Sequence, residues 1–187
     1  MKLKEKRAGP SGKLGPVPQL ELRETVEQDL AFVLATEADP DVAPWIGCWT
    51  RERHLEAIST ENEAHLVFCE REQTVGFLLL AGLAAPGHTI ELRRIALSRR
   101  GAGLGARSIE LALGYAFRVL GARRVWLDVL ETNGRAWRLY RRSGFSDDGF
   151  APNGHLLSDG SSVPLRLMSI TASAFAAPSG RPARLSS

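Results

Sequence analysis

Between residues 89 and 120 the periodicity of the chain changes once and abruptly. Thr89–Leu97 predicts a strand. Ser98-Arg99-Arg100-Gly101-Ala102-Gly103-Leu104-Gly105 follows, and then helical spacing from 104 to about 120. Leu104, Ser108, Leu111, Tyr115 and Val119 are expected on one helix face, and Gly121 at its stop. Glycines let the backbone turn sharply and let a ligand approach its N–H groups. The first N–H groups of a helix have no partner within it and carry the positive end of its dipole. A strand, a glycine loop and a helix start in succession therefore predict an anion site, usually for phosphate.

The flanking pattern alternates strands with helices. Residues 20–23 read as a strand, 27–38 as a helix, and 50 to about 58 as a second helix with Thr50 as its cap. Residues 65–70 and 74–82 are apolar runs joined by Arg71-Glu72-Gln73 and predict a β-hairpin. Strands are expected at 123–130 and 163–170, with a helix at 133–142 between them. A crossover helix joins parallel strands, while hairpins pair antiparallel. The expected fold is α/β: a mixed, mostly antiparallel sheet of six or seven strands with helices on both faces.

The chain has 187 residues, 44% hydrophobic and 24% charged, which suits one globular domain. Residues 1–18, rich in Gly, Pro and Lys, and residues 171–187 read as disordered tails around a domain at 19–170. The longest apolar run, 75–85, is too short for a bilayer, which needs about 20 residues. The basic N-terminus runs into Gly9-Pro10 without an apolar segment, so no secretory signal is expected. Cys48 and Cys69 form no spaced pair. They read as free thiols of a reducing cytoplasm, and no metal site is expected. Residues 19–91 hold four basic and fourteen acidic side chains, and residues 92–170 hold thirteen and six. Such a split fits a protein that meets a cation on one side and a polyanion on the other, or uneven solvated faces.

Three phosphate-binding patterns compete for the loop. A P-loop needs Lys-Ser/Thr after the last glycine, where Ala106-Arg107 stands. Gly101, Gly103 and Ala106 satisfy the dinucleotide pattern, with Asp128 as the ribose-binding acid, which would make a nucleotide (NAD)-binding oxidoreductase. That fold needs several further strands, and only about 40 patterned residues follow Asp128. The third pattern is a pyrophosphate site for coenzyme A.

For that third pattern two segments agree. Arg100-Gly101-Ala102-Gly103-Leu104-Gly105 resembles the cofactor motif of the GNAT superfamily of acyl-CoA-dependent N-acyltransferases, Arg/Gln-x-x-Gly-x-Gly/Ala. Asn133-Gly134-Arg135-Ala136-Trp137-Arg138-Leu139-Tyr140-Arg141-Arg142-Ser143-Gly144-Phe145 is similar to the family's N-x-x-A-x-x-L-Y-x-x-x-G-F segment at every defined position. The resemblance spans about 20–170. The N-terminal part, with Trp45-Ile46-Gly47, is similar to bacterial ribosomal-protein-acetylase-like members.

The resemblance implies acetyl-CoA as co-substrate and an amine as acceptor, either a small molecule or a protein N-terminus, with no membrane and no nucleic acid as partner. A homodimer is common in the family. Residues 100–106 (Arg100, Gly101, Ala102, Gly103, Leu104, Gly105, Ala106) would bind the pyrophosphate, and the backbone of Ile95, Ala96 and Leu97 would pair with pantetheine as an added strand does. Tyr140 would protonate the leaving thiolate. Asn133 reads as a helix cap, and the family also uses it to contact the cofactor. Arg135 would reach the adenosine phosphates, while Arg138, Arg141 and Arg142 read as a solvated basic face. Glu91, isolated between Ile90 and Leu92, is the candidate base for the amine, or else an ion-pair partner of Arg93. Asp128 is a weaker candidate. Trp45, Trp49 and the acids at 37, 39, 41, 52 and 56 would line the substrate side or belong to a solvated helix face. A non-catalytic acyl-CoA-binding module carries the same loop.

Overall fold

The computed structural model describes residues 19–99, 101, 103–156 and 162–176. Arg100 and Ala102 of the loop lie outside the described residues, as do residues 1–18 and 177–187.

Seven strands form one sheet in the order β1-β2-β3-β4-β5-β7-β6. They are β1 (Leu20–Glu24), β2 (Glu63–Glu70), β3 (Gln73–Ala81), β4 (Thr89–Leu97), β5 (Arg124–Leu130), β6 (Ser146–Leu156) and β7 (Ser162–Thr171). Every neighbouring pair is antiparallel except β4 with β5. Helices α1 (Leu30–Glu37), α2 (Ala43–Ile46) and α3 (Arg51–Ser59) lie between β1 and β2. Helix α4 (Leu104–Gly114) joins β4 to β5, α5 (Gly134–Arg142) joins β5 to β6, and α6 (Ala172–Ala176) follows β7. The mixed, mostly antiparallel sheet is as expected from the sequence. The parallel strands in succession that a dinucleotide fold needs are not found among the described residues.

Strand alternation divides the core. On β2, Leu66 and Phe68 face the α4 side with Leu78, Leu80 and Ile90, while Val67 and Cys69 face the α1 side with Leu30, Val33 and Phe77. Phe68 and Phe77 are fully buried, and each such side chain stabilises the fold by about 1.5–3 kcal/mol. Both faces are thus covered, as an α/β sheet requires.

The structure corrects the sequence reading in four places. The sequence reading assigns no element to the segment of β6, which carries Asp147, Asp148, Gly149, Pro152, Asn153 and Gly154. It is an edge strand that pairs with β7 through two register irregularities, where such residues are tolerated. The stretch read as a tail from 171 begins with the last residue of β7 and with α6, whose Phe175 packs on Phe117 at 5.3 Å between ring centroids. The buried face of α4 is Leu104, Ser108, Ile109, Ala112 and Leu113, continued by Ala116 of the next turn, while Val119 is 65% exposed. The cause of the last is a π-helical turn at Tyr115–Val119, closed by the Leu120 N–H donating to the Tyr115 oxygen at 3.1 Å. Its extra residue rotates the final turn relative to a 3.6 period. Finally, β4 carries a bulge at Arg93, since Leu79 pairs with Arg94 and Leu80 with Leu92. Beyond that bulge Ile95 and Leu97 lie on the α4 side, and Arg94 and Ala96 on the α1 side.

Candidate active site

Strands β4 and β5 pair over only three residues, Thr89 to Glu91 against Arg124 to Trp126. Beyond them the strands diverge. The far edge of β4 is occupied by β3, and that of β5 by β7. The two edges that face one another from Leu92 and Leu127 onward have no strand between them. A cleft of about 770 Å³ opens there, lined by Glu91 to Leu97 on one side and by Asp128, Val129 and Leu130 on the other. Unpaired backbone N–H and C=O groups on an edge form a template for an extended amide-bearing ligand.

The glycines divide the work at one end of the cleft. Gly101 has φ 102° and Gly103 φ 72°, left-handed values that side chains disfavour. They turn the chain from β4 into α4, and the Leu104 N–H donates to the Gly101 oxygen at 3.0 Å. Gly105 serves packing: a Cβ there would stand 3.2 Å from Leu139 Cδ2 of α5. Gly101 and Gly105 line the cleft with Ile95, Ala96, Leu97, Asn133 and Arg135. Gly103, Leu104 and Ala106 do not line it, and Leu104 is buried in the core. Arg99 reaches the cleft and is paired with Glu70.

Tyr140 stands on the inner face of α5, 8% exposed, against Phe145 at 5.6 Å between ring centroids, and it lines the cleft. Burial, helped by Asp128, pushes its phenol well above the ordinary range, so it stays protonated. Asn133 caps α5, its Oδ1 accepting from the Ala136 N–H at 3.1 Å.

Glu91 lines the opposite part of the cleft in an ion pair: its Oε2 accepts from Arg93 Nε at 3.0 Å and Nη2 at 2.7 Å. Arg93 also meets Glu63, whose Oε2 accepts from Arg53 Nη1 at 2.9 Å. Of the five acids grouped on the substrate side, Asp41 alone lines the cleft. Glu52 and Glu56 are exposed on α3.

Glu37 is fully buried behind the cleft wall. Its Oε1 accepts from Arg94 at 2.5 Å, and its Oε2 from the Trp49 amide at 2.8 Å and from His54 Nε2 at 3.2 Å. Burial pushes its carboxyl up, but His54, the Trp49 amide and Arg94 outweigh burial and hold it below the ordinary range. His54 Nδ1 lies 3.0 Å from His65 Nε2, and His65 Nδ1 lies 2.8 Å from Thr25 Oγ1. With Glu37 ionised and both imidazoles neutral, the assignment that gives every member a partner runs one way. Thr25 donates to His65, His65 to His54, and His54 to Glu37. Arg94 also donates to the Gly47 oxygen at 3.2 Å. One carboxylate thus fastens residues 47–49 to β4.

Trp49 does not offer its ring to a substrate. Arg53 and Arg94 each place Cζ 4.1 Å from its centroid. Two guanidinium groups cannot share one face at that height, so both faces are covered. Trp45, 42% exposed, remains at the lip of the cleft.

A cleft with open strand edges, a glycine turn and a helix start at one end and a protonated phenol in its wall has the parts that an acyl-CoA-dependent transferase needs. The model of the acetyltransferase (GNAT) family matches residues 29–145, and the chain belongs to that family. It is an acetyl-CoA-dependent N-acetyltransferase rather than a nucleotide-binding oxidoreductase or a non-catalytic module. The fold is similar to spermidine N-acetyltransferase from Vibrio cholerae in complex with CoA and spermine, with TM-score 0.75 and 22% identity over 84% of this chain and 98% of that one. It is also similar to the spermidine/spermine N-acetyltransferase of the same organism in complex with manganese ions, with TM-score 0.68 and 21% identity over 82% and 92%. No helix among the described residues is long and apolar enough to cross a membrane.

Proposed function

We propose that the chain acetylates a primary amine by direct attack on acetyl-CoA in a ternary complex, with a small cationic amine as acceptor. The observation that carries this reading is the splay of β4 from β5 with Tyr140 in its wall. Pantetheine amides replace the missing strand pairing along Ile95, Ala96 and Leu97, and the glycine turn with the α4 start receives the pyrophosphate. The amine nitrogen forms its bond to the thioester carbon, the carbon–sulfur bond breaks, and the sulfur leaves with the electron pair. Tyr140 donates a hydrogen bond to that sulfur. A thiol titrates near pH 8.5 and an unperturbed phenol near 10, so complete transfer from this phenol is uphill. The phenol therefore stabilises developing thiolate, and the proton that the product thiol needs comes from the amine.

A primary ammonium gives up two protons on becoming an amide: Glu91 receives the first, directly or through water, and the second goes to the thiolate. Both Arg93 contacts fall on Oε2, so Oε1 is the oxygen directed to this task. The exposed indole of Trp45 and the Asp41 carboxylate, both lining the cleft, favour a cationic acceptor, and the solved structures of similar fold include one with bound spermine. Two free thiols fit a reducing cytoplasm.

The test is a thermal-shift titration with acetyl-CoA, CoA and NAD, followed by thiol release with a panel of amines: spermidine, an amino acid, an aminoglycoside and a peptide N-terminus. A ligand of the folded state raises Tm once its concentration exceeds Kd. Stabilisation by the CoA ligands alone, with thiol release on spermidine, is the expected result. Stabilisation by NAD alone would overturn it, and release on the peptide alone would move the acceptor to a protein terminus.

A further inference from the structure

We propose that Glu70 is a positioning residue for the acetyl donor: it holds the guanidinium groups of Arg99 and Arg107 in order beside the glycine turn, ready for the CoA phosphates. The inference rests on the reading that the cleft takes acetyl-CoA.

Glu70 is the last residue of β2, and its side chain is 10% exposed. Arg99 follows β4 by two residues and lines the cleft, while Arg107 stands in the first turn of α4. The carboxylate divides itself between them. Oε2 accepts from Arg99 Nη2, and Oε1 faces Arg107 Nη1 at 3.5 Å. A guanidinium has five N–H donors, more than its contact to Glu70 occupies. Two arginines and one carboxylate keep a net positive charge at the end of the cleft where the helix dipole is also positive.

Two effects of Glu70 oppose one another. Its charge repels phosphate, and its contacts order two long side chains. Glu70 acts on a phosphate past Arg99, which is half exposed and offsets its charge, so at physiological ionic strength the repulsion changes affinity by at most about fivefold. Ordering one rotamer-rich side chain on binding costs roughly two- to tenfold, and here two are ordered in advance. Ordering therefore wins, and Glu70 strengthens donor binding.

Glu70→Gln separates this role from a structural one. Turnover is read with acetyl-CoA and with acetyl-pantetheine, which has the same thioester arm and no phosphate, using the amine identified in the acceptor panel. The KM for acetyl-CoA is expected to rise roughly 5- to 50-fold, with kcat and the KM for acetyl-pantetheine unchanged. Replacing Arg99 by Gln in the same chain should then cost less than it does alone. A KM that falls would show Glu70 competing with the phosphates, and a KM that moves equally for both donors would show a support of the fold; either overturns the proposal, as does no change. Should Glu70→Gln fail to fold, Glu70→Asp keeps the charge, withdraws it by one methylene and is read by the same ratio. Failure of the wild-type chain to use acetyl-CoA would instead overturn the reading of the cleft, before any variant is made.

Discussion

A Cβ on Gly76 of β3 would stand 2.5 Å from the backbone oxygen of Ala96 and 2.6 Å from Leu97 Cδ2. Gly76 pairs with Leu97, so the absence of a side chain there lets β3 approach the end of β4, the wall proposed for pantetheine. Gly76→Ala should destabilise the fold by about 1–3 kcal/mol through overpacking and raise the KM for acetyl-CoA. Thermal unfolding and donor kinetics on the same sample check both effects. A variant with wild-type Tm and KM would show that β4 has slack there.

Tyr140→Phe removes one hydroxyl and keeps the ring against Phe145. We expect kcat to fall roughly 100-fold, in the range for loss of one donor to a developing anion, with the KM for acetyl-CoA nearly unchanged. Unaltered turnover would remove Tyr140 from the chemistry.

Glu37 and Glu52 look alike in the sequence, as acids near the substrate side. Glu37→Ala should cost roughly 3–5 kcal/mol, because Arg94 stays buried without its partner. Glu52→Ala, on the exposed face of α3, should leave Tm where it was. Thermal melts of the two variants side by side decide the matter, and equal effects would refute the hub at Glu37.

Stability should fall with acid. Burial, with His54 beside it, pushes His65 down to about 4 from its ordinary 6.5. Between these values the unfolded chain binds the proton and the folded chain does not, so stability drops as pH falls from about 6.5 to about 4, by roughly 3 kcal/mol. Asp29, held low chiefly by Arg23, and Glu37, held low by its three partners against burial, add losses of the same sign at still lower pH. Denaturant unfolding at several pH values checks this, and His65→Gln should flatten the slope between pH 6.5 and 4.

The hairpin between β2 and β3 turns on Arg71 and Glu72, with φ 48° and 69°. Two consecutive positive φ values form the turn that Asn-Gly favours. Glu72→Gly should relieve about 1 kcal/mol of backbone strain and raise Tm by about 2–4 °C for a chain of this size. A lowered Tm would mean that the Glu72 side chain contributes more than its backbone costs.

Most of the frame was legible in the sequence because its signals are local. Thr50 and Asn133 cap helices with their own side chains, and the change of period at Leu97 marks the glycine turn. Arg94 was not legible. Counting by twos from Ile90 and Leu92 places it with them, toward α4, and the bulge at Arg93 turns it to the other face against Glu37. Trp49 shows the same limit: a tryptophan among acids suggests a platform for a cation, and its two faces are already taken by arginines from α3 and β4. Glu70 gave no signal, since its partners lie 29 and 37 residues away. β6 was hidden by its own turn-forming residues, because an edge strand held by β7 needs little intrinsic propensity.

The three-residue contact between β4 and β5 also has a mechanical side. Strands β1 to β4 form one continuous ladder and β5 to β7 another, and each keeps its hydrogen bonds whatever the angle between them. The width of the cleft is therefore set less by rungs between the ladders than by the one core that both share under α4. On the proposed reading, a thioester arm in the cleft would supply the rungs that this stretch of the sheet lacks, so that the donor completes the backbone pairing that the chain leaves open.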